Sequence, residues 1–224
     1  MRLLLLSFLL FINMGFAQTG GRAYIKQNII SWGECKNVAL TLTGGDVAIY
    51  GTNGYAASGI PIGMSNALDD LHGTNELIDD LVLTEDGSWF ILFGSNGYKS
   101  YGAPSSLIQK LNTWNSQGEV INSVTFNDAG EWIAITDTKY SASDNSILEY
   151  LRGGEAEFGE LWAAHMTNDG LVVCYARGFR FLGNVPANLN EKLGATDINV
   201  YRVKFLSDGT YFIADVMGYF EYFM

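Results

Sequence analysis

Hydrophobic and polar residues alternate along this chain in a pattern that returns about every 41 residues. A glycine-containing turn ends each alternating stretch, at Gly45, Gly87, Gly130, Gly170 and Gly209, with spacings of 42, 43, 40 and 39 residues. Period-two alternation that runs into a glycine turn is typical of the first strand of a β-hairpin. The pattern therefore predicts five repeats, each beginning with such a strand.

The remainder of each repeat predicts two further strands and a short helix. A nearly continuous apolar stretch follows each turn, as in WFILF and LVVCYA, which indicates a second strand buried on both faces. A short third strand then contains one aromatic residue per repeat. All three prolines, Pro61, Pro104 and Pro186, precede apolar residues three and seven places later, which is typical of short amphipathic helices that begin at the proline.

The first and last segments of the chain complement each other in this pattern. The fifth repeat has three strands but no helix before Met224, whereas YIKQNIISW near the start spaces Ile25, Ile29 and Trp32 like a repeat helix. We therefore expect residues 18–224 to form a single mostly β domain. In it the N-terminal segment completes the last repeat, and the five units close into a propeller-like ring without free sheet edges.

The segments EDGSWFIL, DAGEWIAI, NDGLVVCY and SDGTYFIA carry a resemblance to a known family. They resemble the repeats of five-bladed β-propeller proteins, which implies sheets arranged around a central axis. The Gly-His and Trp-Asp marks of WD40 repeats are absent from the sequence. The alternative architecture is the five-fold α/β propeller, whose unit of three strands and one helix gives the same cyclic order. Catalytic members of that family use a Cys/His/acid set that cannot be placed on this sequence, so this resemblance implies the fold only.

The first residues predict export. Met1-Arg2 is followed by an apolar run, and Gly15-Phe16-Ala17 offers a small-x-small cleavage site, which together are typical of a signal peptide over residues 1–17. We therefore expect a secreted or periplasmic protein, and no second apolar run predicts membrane insertion. The net charge of −11 makes binding to the phosphate backbone of a nucleic acid unfavourable.

The aromatic residues of the third strands are the candidate ligand-binding residues. They are Tyr55, Tyr98, Tyr140, Phe179 and Tyr219. If they face one end of the ring, they offer stacking platforms to sugars or to the side chains of another protein. The alternative is that each ring fills a gap between neighbouring units, where a large side chain buries much area.

No other residues predict catalysis or a bound metal. The two histidines, His72 and His165, lie far apart in the sequence, and there is no Gly-x-Ser-x-Gly elbow, so they are interpreted as structural or solvent-exposed. Cys35 and Cys174 allow either a disulfide, as in exported proteins, or two separate thiols, with Cys174 in the core. The sequence therefore predicts no catalytic residue, no metal site and no cofactor.

Acidic residues are the remaining candidates for chemistry. Asp79 and Asp80 are interpreted as solvated at the start of a strand, and the acidic segment Gly153–Glu160 as an irregular connection. The best interpretation is a non-catalytic binding module, with a glycan or a protein surface as ligand. Two alternatives remain open: a small hydrolase with carboxylates in a central funnel, which needs a suitably spaced pair, and a structural component of an envelope.

Overall fold

The computed structural model describes residues 21–224, so the predicted signal peptide lies outside the described residues. These residues form five helices and fifteen strands. The helices are α1 (Arg22–Trp32), α2 (Ile62–Thr74), α3 (Ser105–Ser116), α4 (Asn145–Phe158) and α5 (Ala187–Ala195). The strands are β1 (Asn37–Leu40), β2 (Asp46–Tyr50), β3 (Gly54–Ser58), β4 (Ile78–Leu83), β5 (Trp89–Phe93), β6 (Gly97–Tyr101), β7 (Ile121–Phe126), β8 (Trp132–Thr136), β9 (Tyr140–Ala142), β10 (Leu161–Met166), β11 (Gly170–Tyr175), β12 (Gly178–Gly183), β13 (Arg202–Phe205), β14 (Tyr211–Ala214) and β15 (Phe220–Phe223).

Consecutive strands pair in threes. They form five antiparallel sheets, β1-β2-β3, β4-β5-β6, β7-β8-β9, β10-β11-β12 and β13-β14-β15. The helices α2, α3, α4 and α5 each follow a third strand in the chain. The predicted mostly β unit of three strands and one short helix is therefore confirmed.

The glycine turns connect the first and second strands as the sequence predicts. Gly87, Gly130 and Gly209 have φ values of 83°, 80° and 92°, a backbone region that side chains other than glycine rarely adopt. In the first unit this role falls to Gly44, with φ of 88°. Gly170 instead lies within β11, where an added Cβ would meet the backbone of a neighbouring strand end.

Prolines begin three of the helices. Pro61, Pro104 and Pro186 stand immediately before α2, α3 and α5 with φ between −59° and −55°, which suits the start of a helix. The helix of the third unit, α4, begins after Asp144 instead. Its carboxylate accepts hydrogen bonds of 2.8 and 3.0 Å from first-turn amides, which is the usual role of an N-cap residue.

The interpretation of Gly153–Glu160 as irregular is wrong, because α4 continues through Phe158. The two glycines remain helical and allow close packing. A Cβ at Gly154 would overlap the ring of Tyr175, and a Cβ at Gly153 would crowd the guanidinium of Arg180. These positions therefore favour glycine because β11 and β12 approach the helix closely, and not because the chain needs a turn there.

The first strands of the five sheets, called the inner strands below, contact one another from sheet to sheet. β1 contacts β4, β4 contacts β7, β7 contacts β10, β10 contacts β13, and β13 also contacts β1. The apolar core lies in five clusters between one sheet and the next. One of them contains Ile49 of β2 and Ile91 of β5 together with Met64 and Leu68 of α2. Each repeat helix therefore joins the sheet before it to the sheet after it.

The helix α1 occupies the corresponding position between the last sheet and the first. Ile25 and Ile29 are fully buried in a cluster that also contains Phe212 of β14 and Val38 of β1. Trp32 stacks on Tyr50 of β2, with 4.0 Å between the ring centroids. Burial of these apolar side chains against two sheets is the main interaction that fixes α1.

Candidate functional site

The predicted aromatic residues lie on the outer strands of different sheets. Three of them use their hydroxyl groups to hold the helix that follows, because each tyrosine donates a hydrogen bond to a polar side chain on that helix. The pairs are Tyr55 with Asp69, Tyr98 with Asn112 at 2.7 Å, and Tyr140 with Glu155 at 2.6 Å. Burial and the carboxylate partner raise the pKa of Tyr55 and of Tyr140 to about 12.

The other two predicted aromatic residues differ from this pattern. Phe179 packs against a core cluster and faces Cys174 across the sheet. Tyr219 is 70% exposed and precedes β15, and the strand register places Phe220 in the position equivalent to Phe179. The five predicted residues therefore lie on separate outer strands or beside one, and the structure does not bring them together.

Both cysteines are buried free thiols. Cys35 packs with residues of α1 and β1, whereas Cys174 packs with β10, β13 and α5. Burial raises the pKa of each thiol to about 12, so both stay protonated at neutral pH. The interpretation of Cys174 as a core residue is confirmed.

A depression opens where the turns after the first strands converge. All five units contribute to its lining. The residue two places beyond the end of each first strand belongs to it: Leu42, Glu85, Asp128, Asn168 and Ser207. The cavity volume is about 80 Å³. This space holds several water molecules or the end of one side chain, and is far below the roughly 300–1,000 Å³ of a small-molecule pocket.

Acidic side chains at the rim connect neighbouring turns. Glu85 accepts a hydrogen bond of 2.6 Å from the backbone N–H of Leu42 in the preceding unit. Asp128 accepts 3.3 Å from the backbone N–H of Asp86 and 2.7 Å from the side-chain amide of Asn168. These contacts fix both carboxylates in place around the mouth of the depression.

A buried carboxylate lies among the inner strands. Asp80 accepts hydrogen bonds from the side chain of Asn37 at 2.6 Å, the backbone N–H of Leu81 at 2.8 Å and that of Val124 at 3.0 Å. Its fourth partner is Lys204 of β13, whose Nζ is 3.3 Å from Oδ1. The interpretation of Asp80 as solvated is therefore wrong, because the side chain connects four inner-strand groups and is fully buried.

The charges of this pair are balanced within the core. Burial alone would raise the pKa of Asp80, but the charges of Lys204 and Arg202 and the backbone N–H groups together lower it. Burial lowers the pKa of Lys204, and the Asp80 carboxylate opposes that shift. Lys204 also donates 2.8 Å to the carbonyl oxygen of Leu81. The inner strands therefore contain an ion pair with several hydrogen bonds, as a buried charge requires.

His165 lies on β10, three residues before the rim residue Asn168, and lines the depression. Its Nε2 is 3.3 Å from the carbonyl oxygen of Phe205, and the two rings meet edge to face. The Nδ1 atom is buried and has no hydrogen-bond partner among residues 21–224. Burial and the nearby charge of Lys204 lower the pKa of His165 to about 3, so the imidazole is neutral at physiological pH.

The other histidine is remote from this depression. His72 lies near the end of α2, where its Nδ1 is 3.2 Å from the carbonyl oxygen of Asn53. Residues 21–224 contain no group of three or more His, Cys, Asp or Glu side chains arranged to hold a metal ion. None of the five helices described is both long and apolar enough to cross a bilayer.

The chain matches no protein-family model, no curated protein and no solved structure.

Proposed function

We propose that this protein is an exported, non-catalytic binding module that holds a protein partner at one end of a five-unit, propeller-like ring. Contact between β13 and β1 supports the closure of the ring. Arg22 of α1 supports it too, because it binds both terminal units. Its guanidinium donates 2.9 Å to Thr210 in the last unit and 2.6 Å to the carbonyl oxygen of Thr41 in the first.

One observation carries the binding role: each of the five units contributes residues to a single depression at the turn end. In a ring of repeats, only the axis is shared by all units. A site on that axis is therefore built by the whole assembly, and variation in the five turns changes the site without changing the sheets.

The size of the depression favours a protein surface over a glycan. A volume of about 80 Å³ accepts one protruding side chain of a macromolecular partner and is too small for a sugar ring with its substituents. The aromatic residues expected to stack on sugars already use Tyr55, Tyr98 and Tyr140 to hold helices. The rim carboxylates likewise hold neighbouring turns, which supports a positioning role for Glu85 and Asp128.

Site-specific photocrosslinking tests this function. A photoreactive phenylalanine analogue replaces Ser207, which is exposed at the rim, and in a control protein it replaces Gln109, which is exposed on α3. In the producing organism, we expect one discrete adduct with a single identified protein from position 207 and none from position 109. Absence of an adduct at position 207, or equal labelling at both positions, would contradict the proposal.

Export is tested separately, because it rests on residues 1–17 alone. We expect the protein recovered outside the cytoplasm to begin near Gln18, as N-terminal sequencing would establish. Recovery of the uncleaved chain from the cytoplasm would contradict export and would leave the binding role standing.

A further inference from the structure

The turn between β14 and β15, residues 215–219, differs in character from the equivalent turns of the other units and is called the fifth turn below. We infer that the fifth turn and the cleft beside it dock an apolar segment of a protein that carries an arginine. The fifth turn lies at the end of β14 opposite the depression, so this inference is independent of the proposed function.

The sequence of the fifth turn departs from the repeat. The corresponding residues are Gly-Thr-Asn-Gly at 51–54 in the first unit and Gly-Ser-Asn-Gly at 94–97 in the second, but Val-Met-Gly-Tyr at 216–219 in the fifth. In the first unit the turn has a structural role, because Asn53 donates a hydrogen bond of 3.1 Å to the carbonyl oxygen of His72 near the end of α2. The fifth turn has apolar side chains in place of this polar sequence.

These apolar side chains face solvent on an ordered turn. Val216 is 65% exposed and Met217 is 71% exposed, and Tyr219 beside them is exposed to a similar degree. The carboxylate of Asp215 fixes the turn, since it accepts 2.8 Å from the backbone N–H of Met217 and 3.0 Å from that of Tyr219. A partner therefore has little of the turn to order on binding. Grouped exposed apolar side chains of this kind are typical of an interaction surface.

An open cleft with a volume of about 430 Å³ lies beside the fifth turn. Its lining combines two aromatic rings with three carboxylates: Tyr219, Phe220, Asp197, Asp215 and Glu221. No lysine or arginine is among its lining residues. Glu221 is paired with Lys192 at 2.7 Å, whereas Asp197 is exposed and belongs to none of the ion pairs within residues 21–224. The cleft therefore keeps a negative charge that a basic group of a partner balances.

The combination of an aromatic ring and a carboxylate favours arginine as that basic group. A guanidinium stacks on an aromatic ring through its planar face and donates paired hydrogen bonds to a carboxylate through its edge. In the cleft, Tyr219 offers the exposed ring and Asp197 the carboxylate. The ammonium group of lysine is a strongly hydrated point charge that makes less use of such a ring.

The apolar side chains of the fifth turn separate a protein segment from other occupants. A sugar that stacks on Tyr219 leaves Val216 and Met217 exposed to water. A second copy of the chain brings a second acidic cleft, and the net charge of −11 opposes that association. The negative surface of an anionic bilayer is repelled for the same reason. An apolar segment with an arginine both covers the turn and balances the charge of the cleft.

Methyl NMR of the protein with labelled methionine tests the inference. The probe is the peptide acetyl-Leu-Arg-Leu-amide, and in the matched control citrulline, which is uncharged and of similar shape, replaces arginine. We expect the arginine peptide to move the methyl resonance of Met217 in a saturable way, and the citrulline peptide to bind about two- to fivefold more weakly, as expected for an exposed charge pair. Equal affinities of the two peptides, or no shift of Met217, would overturn the inference.

Variants of the cleft give a second readout with the same peptide. D197N should weaken binding about two- to fivefold, whereas D169N, which removes an exposed carboxylate at the depression, should leave the affinity unchanged. Y219A should also weaken binding about two- to fivefold, because the guanidinium loses its ring. Its matched control is Y101A, since Tyr101 on β6 is 69% exposed. Equal affinities of D197N and D169N, or of Y219A and Y101A, would reject the assigned cleft.

The other occupants are tested on the protein without the peptide. We expect the wild type to sediment as a monomer and to remain unbound in flotation with phosphatidylcholine vesicles. A dimer that M217S dissociates would assign the fifth turn to a second copy of the chain, and vesicle binding that M217S abolishes would assign it to a bilayer. Either result would overturn the inference, and neither bears on the depression at the other end of β14.

Discussion

The buried ion pair between Lys204 and Asp80 gives the sharpest prediction about stability. The change Lys204→Met removes the ammonium group 3.3 Å from Asp80 and keeps an apolar stem of similar length. The carboxylate then remains buried with three hydrogen bonds, from Asn37, Leu81 and Val124, but without its nearest positive charge. Removal of one partner from a buried ion pair costs about 3–5 kcal/mol, and the remaining hydrogen bonds place K204M near the lower limit.

The converse change is expected to be more damaging. Asp80→Leu leaves the donors of Asn37, Leu81 and Val124 without their acceptor. It also leaves the ammonium group of Lys204 buried, with the carbonyl oxygen of Leu81 as its other partner. Each orphaned donor costs about 1–3 kcal/mol, so D80L should lose at least about 5 kcal/mol. A typical domain has only about 5–15 kcal/mol of stability, so D80L is expected to fold poorly or not at all.

Urea unfolding followed by tryptophan fluorescence measures these differences. The matched control is Lys192→Met, because Lys192 forms an ion pair of 2.7 Å with Glu221 in which both side chains are about one third exposed, and ion pairs that solvent reaches contribute little. We expect the unfolding midpoint of K192M to stay close to that of the wild type and that of K204M to fall clearly. Coincident midpoints for K204M and K192M would refute the reasoning that the inner pair is buried and stabilising.

Three further predictions concern other parts of the molecule. The folded-state pKa of His165, about 3, lies below its ordinary value of 6.5. Between pH 3 and pH 6.5 the unfolded chain therefore binds a proton at His165 that the folded protein does not. The free energy of unfolding falls by about 1.4 kcal/mol for each pH unit below 6.5. This pH dependence of the free energy of unfolding should disappear in H165N and persist in H72N. Equal pH dependences of the two variants, measured by urea titration, would contradict the burial of His165. Gly183→Ala should destabilise the protein, since φ is 72° and the added Cβ overlaps a backbone carbonyl oxygen of the facing turn, whereas Gly73→Ala, in an open helical position, should raise the thermal midpoint. Tyr98→Phe should lose about 1 kcal/mol in urea unfolding, because it removes the hydrogen bond to α3, and an unchanged midpoint would contradict that role.

The sequence predicts the repeating elements well because they depend on local rules. Alternation, glycine turns and helix-starting prolines act over fewer than ten residues, and Gly87 and Pro104 occupy the turn and helix-start positions that those rules give them. The interpretation of the sequence is wrong where a contact with a distant part of the chain decides the local structure. Gly153 and Gly154 look like loop residues until the helix α4 is seen to pack against β11 and β12.

The depression could not be predicted from any single repeat, because it depends on how five strands meet. Asp80 follows another acid at a strand start, a pattern that is usually solvated, and only its partners on β1, β7 and β13 explain its burial. The sequence nevertheless contains one indication of a polar interior. Lys204 and His165 occupy one repeat position with Val82 and Thr125, and such a mixed set within inner strands indicates a shared polar interior.

A crosslink between the first and last units tests the proposed closure of the five units into a ring around one axis. Leu42 and Ser207 lie near opposite ends of the chain, yet both line the same depression. Because Cys35 and Cys174 are buried, the double variant L42C/S207C presents two reactive thiols to a short bis-maleimide. We expect a rapid crosslink within single molecules of L42C/S207C and none in L42C/Q109C, whose second site lies on α3. Failure of L42C/S207C to crosslink would contradict the closed ring.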